Sequence, residues 1–356
     1  MRKRPAVFII AAYVLILATS LDVAAVRPSD AATNPVTPER GRTLAAIKAR
    51  GTVRCGASAA LEGFGEIDAQ GKWSGFDIDF CRAIAAAIFG DASRVEFVPL
   101  TAAERFEAIA SGKVDVLNRN TTWTLSRETG HGLLFTGVTY YDGQGFLVRR
   151  SLAVTSALSL ASDTICVQRD TTTELNLADF FRQRGQKYKP IAFATAEEVE
   201  NAYKSGACGA YTTDASALFV LRASLPHPED NIILPEIIAK EPLGPSVRQG
   251  DDQWFSIVRW TLIAMIDAEE MGITQANVDA MVKNDNPRVK RLLGAEGNFG
   301  QPLGLTSDWA YRIIKFVGNY DDVFERNLGS GSKLKIKRGL NALWTHGGLL
   351  YAPPIL

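Results

Sequence analysis

From about residue 43 the chain alternates short apolar runs with stretches whose apolar positions recur every three or four residues. Thr43 to Arg50 reads as a helix closed by Gly51 at the C′ position, followed by a strand at Thr52 to Cys55. Asp77 can cap a helix that carries Phe80, Ile84 and Ile88 on one face. A strand over Val95 to Leu100, a helix over Ala102 to Ser111 ended by Gly112, and a strand over Val114 to Leu117 come next. The alternation restarts at a strand over Thr164 to Val167 and a helix over 172–183. Ile191 to Phe193, Ala196 to Ser205 and Ala210 to Thr212 continue it as strand, helix and strand. Such alternation predicts parallel sheets covered by helices, and two blocks of it predict two α/β lobes.

Gly143 to Val148 and Leu243 to Val247 read as the two crossings between the lobes. Beyond the second the pattern is helical, over 251–271, 274–284, 286–293 and 307–318, with a tail that we expect to pack on lobe one. The segmentation is 42–146 for the first part of lobe one and 147–246 for lobe two. Residues 247–356 form the return to lobe one with a helical C-terminal extension.

The N-terminus changes the picture. Arg2, Lys3 and Arg4 precede an apolar run from Ala6 to Leu21 and the small residues Val23-Ala24-Ala25. Residues 1–25 therefore read as a signal peptide cleaved after Ala25, and 26–41 as a flexible leader. An exported protein is expected. Lys plus Arg and Asp plus Glu each number 39, a balance that argues against nucleic acid as the main partner. The four cysteines show no CxxC spacing, so no metal site is expected. Export makes disulfides reasonable, and four cysteines allow three pairings. Cys55–Cys81 with Cys166–Cys208, each within one lobe, is the expected pairing; buried free thiols are the alternative.

A series of motifs runs through the chain. In order they are GFDIDFCRAIA (75–85), SGKVDVL (111–117), NTTWTLSRE (120–128), YYDGQGFLVR (140–149), VQRDTTTE (167–174) and AYTTDASAL (210–218). In this order and spacing, the sequence resembles family 3 of the extracellular solute-binding proteins of ABC transporters, the polar amino-acid family. Its likeness is to the general L-amino-acid-binding subgroup, with Glu241 to Trp254 and Gly339 to Pro354 as further subgroup stretches. The resemblance implies a bilobal, type II periplasmic binding protein-like fold. It also implies an L-amino-acid ligand, an inner-membrane ABC permease as partner, a periplasmic location, a monomer and no cofactor.

A free amino acid presents a carboxylate and an ammonium, and burying either unpaired costs several kcal/mol. A closed cleft must supply a planar cation, an anion and aligned donors. Arg127 falls at the family's carboxylate clamp, beside Asn120 and Thr122; a surface Arg paired with Glu128 or Asp142 is the plainer reading. Asp214 falls at the family's ammonium-binding acid, and a simple helix cap is its plainer reading. Thr171 and Thr172 open a helix whose N-terminus can hold the carboxylate or merely be capped. Arg105 matches the place of an Arg in acidic-amino-acid binders, where it could reach a side-chain carboxylate; Arg119 is a weaker second.

Two departures stand out. Asp170 replaces the usual Gly before the threonines and brings a negative charge near the cleft. Leu61 stands where many relatives stack an aromatic ring, with Phe64 displaced from it. A roomier, less selective pocket is the expectation.

Enzyme readings find little support. The three His stand apart from any Ser, Cys or Asp in a catalytic pattern, and GxSxG, Walker and HExxH motifs are missing. The alternative kept is a periplasmic cyclohexadienyl dehydratase-like enzyme on the same fold, which would need a free cleft carboxylate.

Overall fold

The structure is a computed structural model, and residues 41–161 and 163–356 are described. The expected signal peptide, its cleavage after Ala25 and nearly all of the leader lie outside the described residues. Among those described, no helix is long and apolar enough to cross a membrane.

The chain opens with α1 (Arg42–Arg50), β1 (Val53–Ala57), and a small antiparallel sheet of β2 (Ala60–Leu61), β3 (Gly65–Ile67) and β4 (Trp73–Ser74). It continues through α2 (Phe76–Phe89), β5 (Val95–Pro99), α3 (Arg105–Ala110), β6 (Val116–Leu117), α4 (Leu125–Gly130) and β7 (Leu133–Phe135). The second lobe holds β8 (Tyr140–Arg149), β9 (Thr164–Gln168), α5 (Thr172–Arg182), β10 (Lys189–Phe193), α6 (Ala196–Ser205), β11 (Ala210–Asp214), α7 (Ala215–Ser224) and β12 (Asn231–Ile233). The return runs along β13 (Ala239–Leu243) and β14 (Ser246–Arg248). It ends in α8 (Asp252–Glu270), α9 (Val278–Met281), α10 (Pro287–Leu292), α11 (Trp309–Phe316) and α12 (Tyr320–Asn327).

Lobe one is built on a five-stranded sheet ordered β5-β1-β6-β14-β7, with β5, β1 and β6 parallel. Lobe two is built on β10-β9-β11-β8-β12, with β13 also paired to β8. The first crossing comes earlier than the sequence suggested. Gly143 to Val148 is the middle of β8, paired with β11 and β13, so the expected boundary between 146 and 147 falls inside a continuous strand. The run reads as an apolar crossing because β8 is covered on both faces, and a fully covered strand loses its alternation.

The two crossings touch one another. Thr136 N–H donates to Pro245 C=O at 3.0 Å and Thr139 N–H to Leu243 C=O at 2.9 Å. Gly244 is needed here, because a Cβ on it would lie 2.0 Å from Gly137 O. Side by side, the crossings form a narrow waist where few dihedral angles can turn one lobe against the other.

Asp77 is not the cap of α2. Gly75 takes that place, at φ 130°, and a Cβ there would meet Phe64 O at 2.2 Å. Asp77 sits one residue inside the helix, buried, accepting the Asn120 N–H at 2.9 Å. The helix expected from Ala102 begins only at Arg105, because Thr101 and Glu104 satisfy one another in a turn before it. The helix expected over 274–284 shrinks to α9, held by the Asn277 side chain accepting the Thr274 N–H. α12 was not anticipated; its capping box, Asn319 with Asp322, is its sequence signature.

The main core lies in lobe one. Phe76, Phe80 and Ile84 of α2 share it with Trp254 and Val258 of α8, Ile313 of α11 and Phe324 of α12. Leu343, Leu350 and Ala352 join the same core, so the tail packs on lobe one as expected. Arg338 ties it down, donating to Glu269 at 2.9 Å and to Asp321, over the faces of Tyr320 and Phe324. Asn341 then reaches the start of β8, just past the first crossing, accepting the Tyr141 N–H at 2.6 Å and donating to Tyr141 C=O at 3.1 Å. Cys55 is bridged to Cys81 and Cys166 to Cys208, with Cα–Cα separations of 6.3 and 5.8 Å, each within one lobe. Loop entropy alone makes such cross-links worth about 4 kcal/mol each against the unfolded chain.

Candidate functional site

The carboxyl ends of the parallel strands in the two lobes face one another, which is where open α/β sheets bind ligands. A cavity of about 350 Å³ lies there. Segments after β1, β5 and β6 form one wall; those after β9 and β11 form the other. All seven residues expected to bind ligand line it: Arg105, Asn120, Thr122 and Arg127 from lobe one, Thr171, Thr172 and Asp214 from lobe two. Arg119 lines it as well.

The guanidiniums are buried and short of partners. Arg105 is 4% exposed, donates no side-chain hydrogen bond among the described residues, and has a buried Nε without an acceptor. It lies over the Phe106 ring at 4.9 Å, and Arg127 lies over the same ring at 5.4 Å. Burial, with Arg127 and Arg119 nearby, holds the Arg105 guanidinium well below its ordinary range. Burial likewise lowers Arg119 to about 10. Arg127 pairs with neither Glu128 nor Asp142. One Nη donates to Thr122 C=O at 2.8 Å. Three cations crowd one wall, a costly arrangement unless an anion arrives between them.

Asp214 is the opposing charge. The helix-cap reading does not hold for it: its side chain accepts no amide at the start of α7. Asp142 does that work instead, taking the Ser216 N–H at 3.3 Å and the Ser216 hydroxyl. The Asp214 carboxyl is thus left facing the cavity. Burial, then Asp142 and Glu241 close by, push it well above the usual carboxylate range. An arriving ammonium would relieve that.

Backbone amides add further hydrogen-bond donors at the cavity. Trp123 N–H donates to Pro242 C=O and Gly244 N–H to Thr121 C=O, which makes Thr122 the non-bonded partner of Leu243 in an antiparallel bridge. Its own N–H and C=O therefore turn away from β13. The C=O takes Arg127; the N–H has no acceptor among the described residues. Across the cleft Thr171 caps α5 through Glu174 N–H at 3.3 Å, and the first amides of α5 are those that a helix start leaves without partners. Capping by Thr171 is observed, and it leaves the remaining first amides of α5 open at the helix start.

Asn120 adopts φ 29°, rare for a residue with a Cβ, and its buried Oδ1 has no hydrogen-bond partner. Asp170 takes over the left-handed turn of the usual glycine at φ 61°, which Asp tolerates. Its side chain is exposed and outside the cavity lining, so the extra charge does not enter the site. Leu61 lines the cavity, whereas Phe64 is buried edge-on against Tyr140, 5.1 Å away. The part of the lobe-one wall at Leu61 is thus aliphatic, and that wall lacks a stacking ring.

Two acids escaped the sequence reading. Glu241 is fully buried on β13, paired across the ladder with Asp142 on β8. In sequence Asp142 stood only as the plainer partner for Arg127 and Glu241 only as the start of a subgroup stretch; the fold alone brings both to the back of the cavity.

Burial gives the fold a pH signature. It raises Asp77 to about 7, Asp142 to about 6 and, under the tail, Glu269 to about 7. Because these folded values exceed the unfolded ones, the native state holds protons that the unfolded chain has released. Their contribution is full below the unfolded values and is lost as pH rises through 6 to 7. The ligand-free protein should melt at a lower temperature at pH 8 than at about 5.5. Melting curves across that range, with Asp77→Asn flattening the slope, check it.

Comparison with known proteins bears on the family and the fold. Residues 53–277 match the family of bacterial extracellular solute-binding proteins, family 3. The chain is 58% identical over 315 residues to the general L-amino acid-binding periplasmic protein AapJ of Rhizobium johnstonii, covering 88% of this chain and 92% of that one. It is 53% identical over 313 residues to the glutamate/glutamine/aspartate/asparagine-binding protein BztA of Rhodobacter capsulatus, covering 88% and 93%. A solved ABC transporter/periplasmic binding protein from Brucella ovis with glutathione bound superposes with a TM-score of 0.86 at 56% identity, covering 88% and 99%. With two lobes, a charged cleft between them and these likenesses, the chain belongs to family 3 of the bacterial extracellular solute-binding proteins.

Proposed function

We propose that this chain is the periplasmic solute-binding component of an amino-acid ABC transporter, with a free L-α-amino acid enclosed between its lobes. The observation that carries this is a set of buried, opposed charges facing one cavity: Arg105, which donates no hydrogen bond among the described residues, and Arg127, with one Nη on Thr122 C=O, on one wall, and Asp214 on the other. The ligand carboxylate takes the free N–H groups of Arg127 and the Thr122 amide. Closure then brings the α5 amides at Thr172 and the Asp214 carboxylate onto the carboxylate and ammonium. Arg105 and the Asn120 Oδ1 are left for the side chain, which suits acidic and amide-bearing ligands. The aliphatic wall at Leu61 imposes no ring-stacking, in keeping with broad specificity.

The protein acts by binding without turnover, since its cleft carboxylate is engaged by the ammonium. It works as an exported monomer that delivers ligand to an inner-membrane permease, which would recognise the closed form. A thermal-shift screen of the mature protein against the L-amino acids, their D-forms and glutathione tests this. Ligand at 100 times its Kd should add ~2.7 kcal/mol, well resolved in a melting curve. Stabilisation by several L-forms and not by D-forms is the expected result. Equal response to both hands, or none from protein shown to be folded and ligand-free, would sink it.

A further inference from the structure

We propose that Glu241 is a positioning residue for ligand capture: its buried carboxylate fastens the two walls of the cleft together and fixes which groups of Thr122 and Thr172 face the ligand. The inference rests on the binding reading above and deepens it.

Glu241 lies on β13, next to the second crossing, and is not part of the cavity lining. It does not touch the ligand space; it works from behind it. One oxygen accepts the Thr122 hydroxyl from lobe one and the Thr172 hydroxyl from lobe two, the latter at 3.1 Å. The other accepts the Asn176 amide of α5 at 2.9 Å. The two threonine hydroxyl oxygens come within 3.4 Å of each other on this single carboxylate.

Two consequences follow from elementary hydrogen-bond chemistry. Each hydroxyl has one proton to donate, and both are spent on Glu241. A ligand carboxylate must therefore be met by the backbone amides of these threonines, which point where the ladder and the helix direct them. Second, a buried carboxylate is tolerated only while its donors are in place. Thr122 and Thr172 belong to opposite walls. Whichever wall β13 follows on opening, at least one hydroxyl bond must break, so the carboxylate favours the closed arrangement in which both are made.

The test compares wild type with Glu241→Ala, the isosteric Glu241→Gln, and the paired Thr122→Val/Thr172→Val. Stopped-flow binding of L-glutamate gives association and dissociation rates, and X-ray scattering of ligand-free protein gives its compactness. We expect Glu241→Ala and Glu241→Gln to dissociate ligand about tenfold faster or more, with association changed less than about threefold. The threonine pair should show the same change, and adding Glu241→Ala to it should add little, since the three groups form one unit. Ligand-free Glu241→Ala should be less compact than wild type. A purely structural Glu241 would lower the melting temperature and leave dissociation untouched. Dissociation within twofold of wild type in folded Glu241→Gln, or full additivity with the threonine pair, overturns the proposal. Should wild type bind no amino acid, the function reading fails instead. The scattering comparison then decides alone, and equal compactness of the ligand-free proteins overturns the role of Glu241.

Discussion

Asp214→Ala is expected to weaken L-amino-acid binding by about 3 kcal/mol or more, ~150-fold in Kd, because the ligand ammonium would then be buried without a counter-charge. The same change should leave the ligand-free protein at least as stable as wild type. Asp214 caps nothing, and its carboxyl is crowded by Asp142 and Glu241 in a buried place. Removing such a group relieves a desolvation cost. Affinity and stability should move in opposite directions, which an ordinary structural Asp does not give. Asp214→Asn keeps the shape and an acceptor oxygen, and should lose less, about tenfold. Calorimetric titration beside melting curves reads both quantities. An alanine variant that binds within threefold of wild type would remove Asp214 from the site.

The second large effect belongs to Arg127. Arg127→Ala should also cost about 3 kcal/mol in affinity, since the carboxylate loses a planar pair of donors. Here stability should fall as well, by about 1 kcal/mol, because Thr122 C=O loses the Nη1 that now satisfies it. Arg127→Lys separates charge from geometry. It restores a cation but not the fork, so it should recover only part of the affinity. Full recovery by lysine would mean that Arg127 acts as a bulk charge, and equal binding by the alanine variant would exclude it from the site. The opposite stability changes expected at Asp214 and Arg127 follow from one difference, a side chain with no bond in the fold and a side chain with one.

Much of this was legible in the sequence where a residue's role is local. The helix at Ala196 to Ser205 is marked at both ends, by Thr195 with Glu198 and by Gly206, and the structure keeps its bounds. The cavity-lining residues come after strand ends, so finding the strands places them. What failed depends on what packs against what. Asp77 has the side chain of a cap, yet Gly75 takes the role because Phe64 O leaves no space for a Cβ. Gly143 to Val148 has the look of a crossing, but β11 and β13 enclose it on both edges. Glu241 and Asp142 lie about a hundred residues apart and meet only through strand register. No local pattern marks such a pair.

The way the chain passes twice through the waist bears on how the molecule comes into being. Lobe two enters and leaves at neighbouring points, from β8 to β13, so its sheet and its Cys166–Cys208 bridge draw on one continuous stretch. Lobe one is assembled from both ends of the chain. Its α2 face of Phe76, Phe80 and Ile84 is begun by Phe64 and Tyr140 but completed only by α8, α11 and α12, about 170 residues downstream (Asp252 onward). As the polypeptide emerges N-terminus first, the segment that appears earliest must wait longest with its apolar face unburied, while the lobe that follows it can already close.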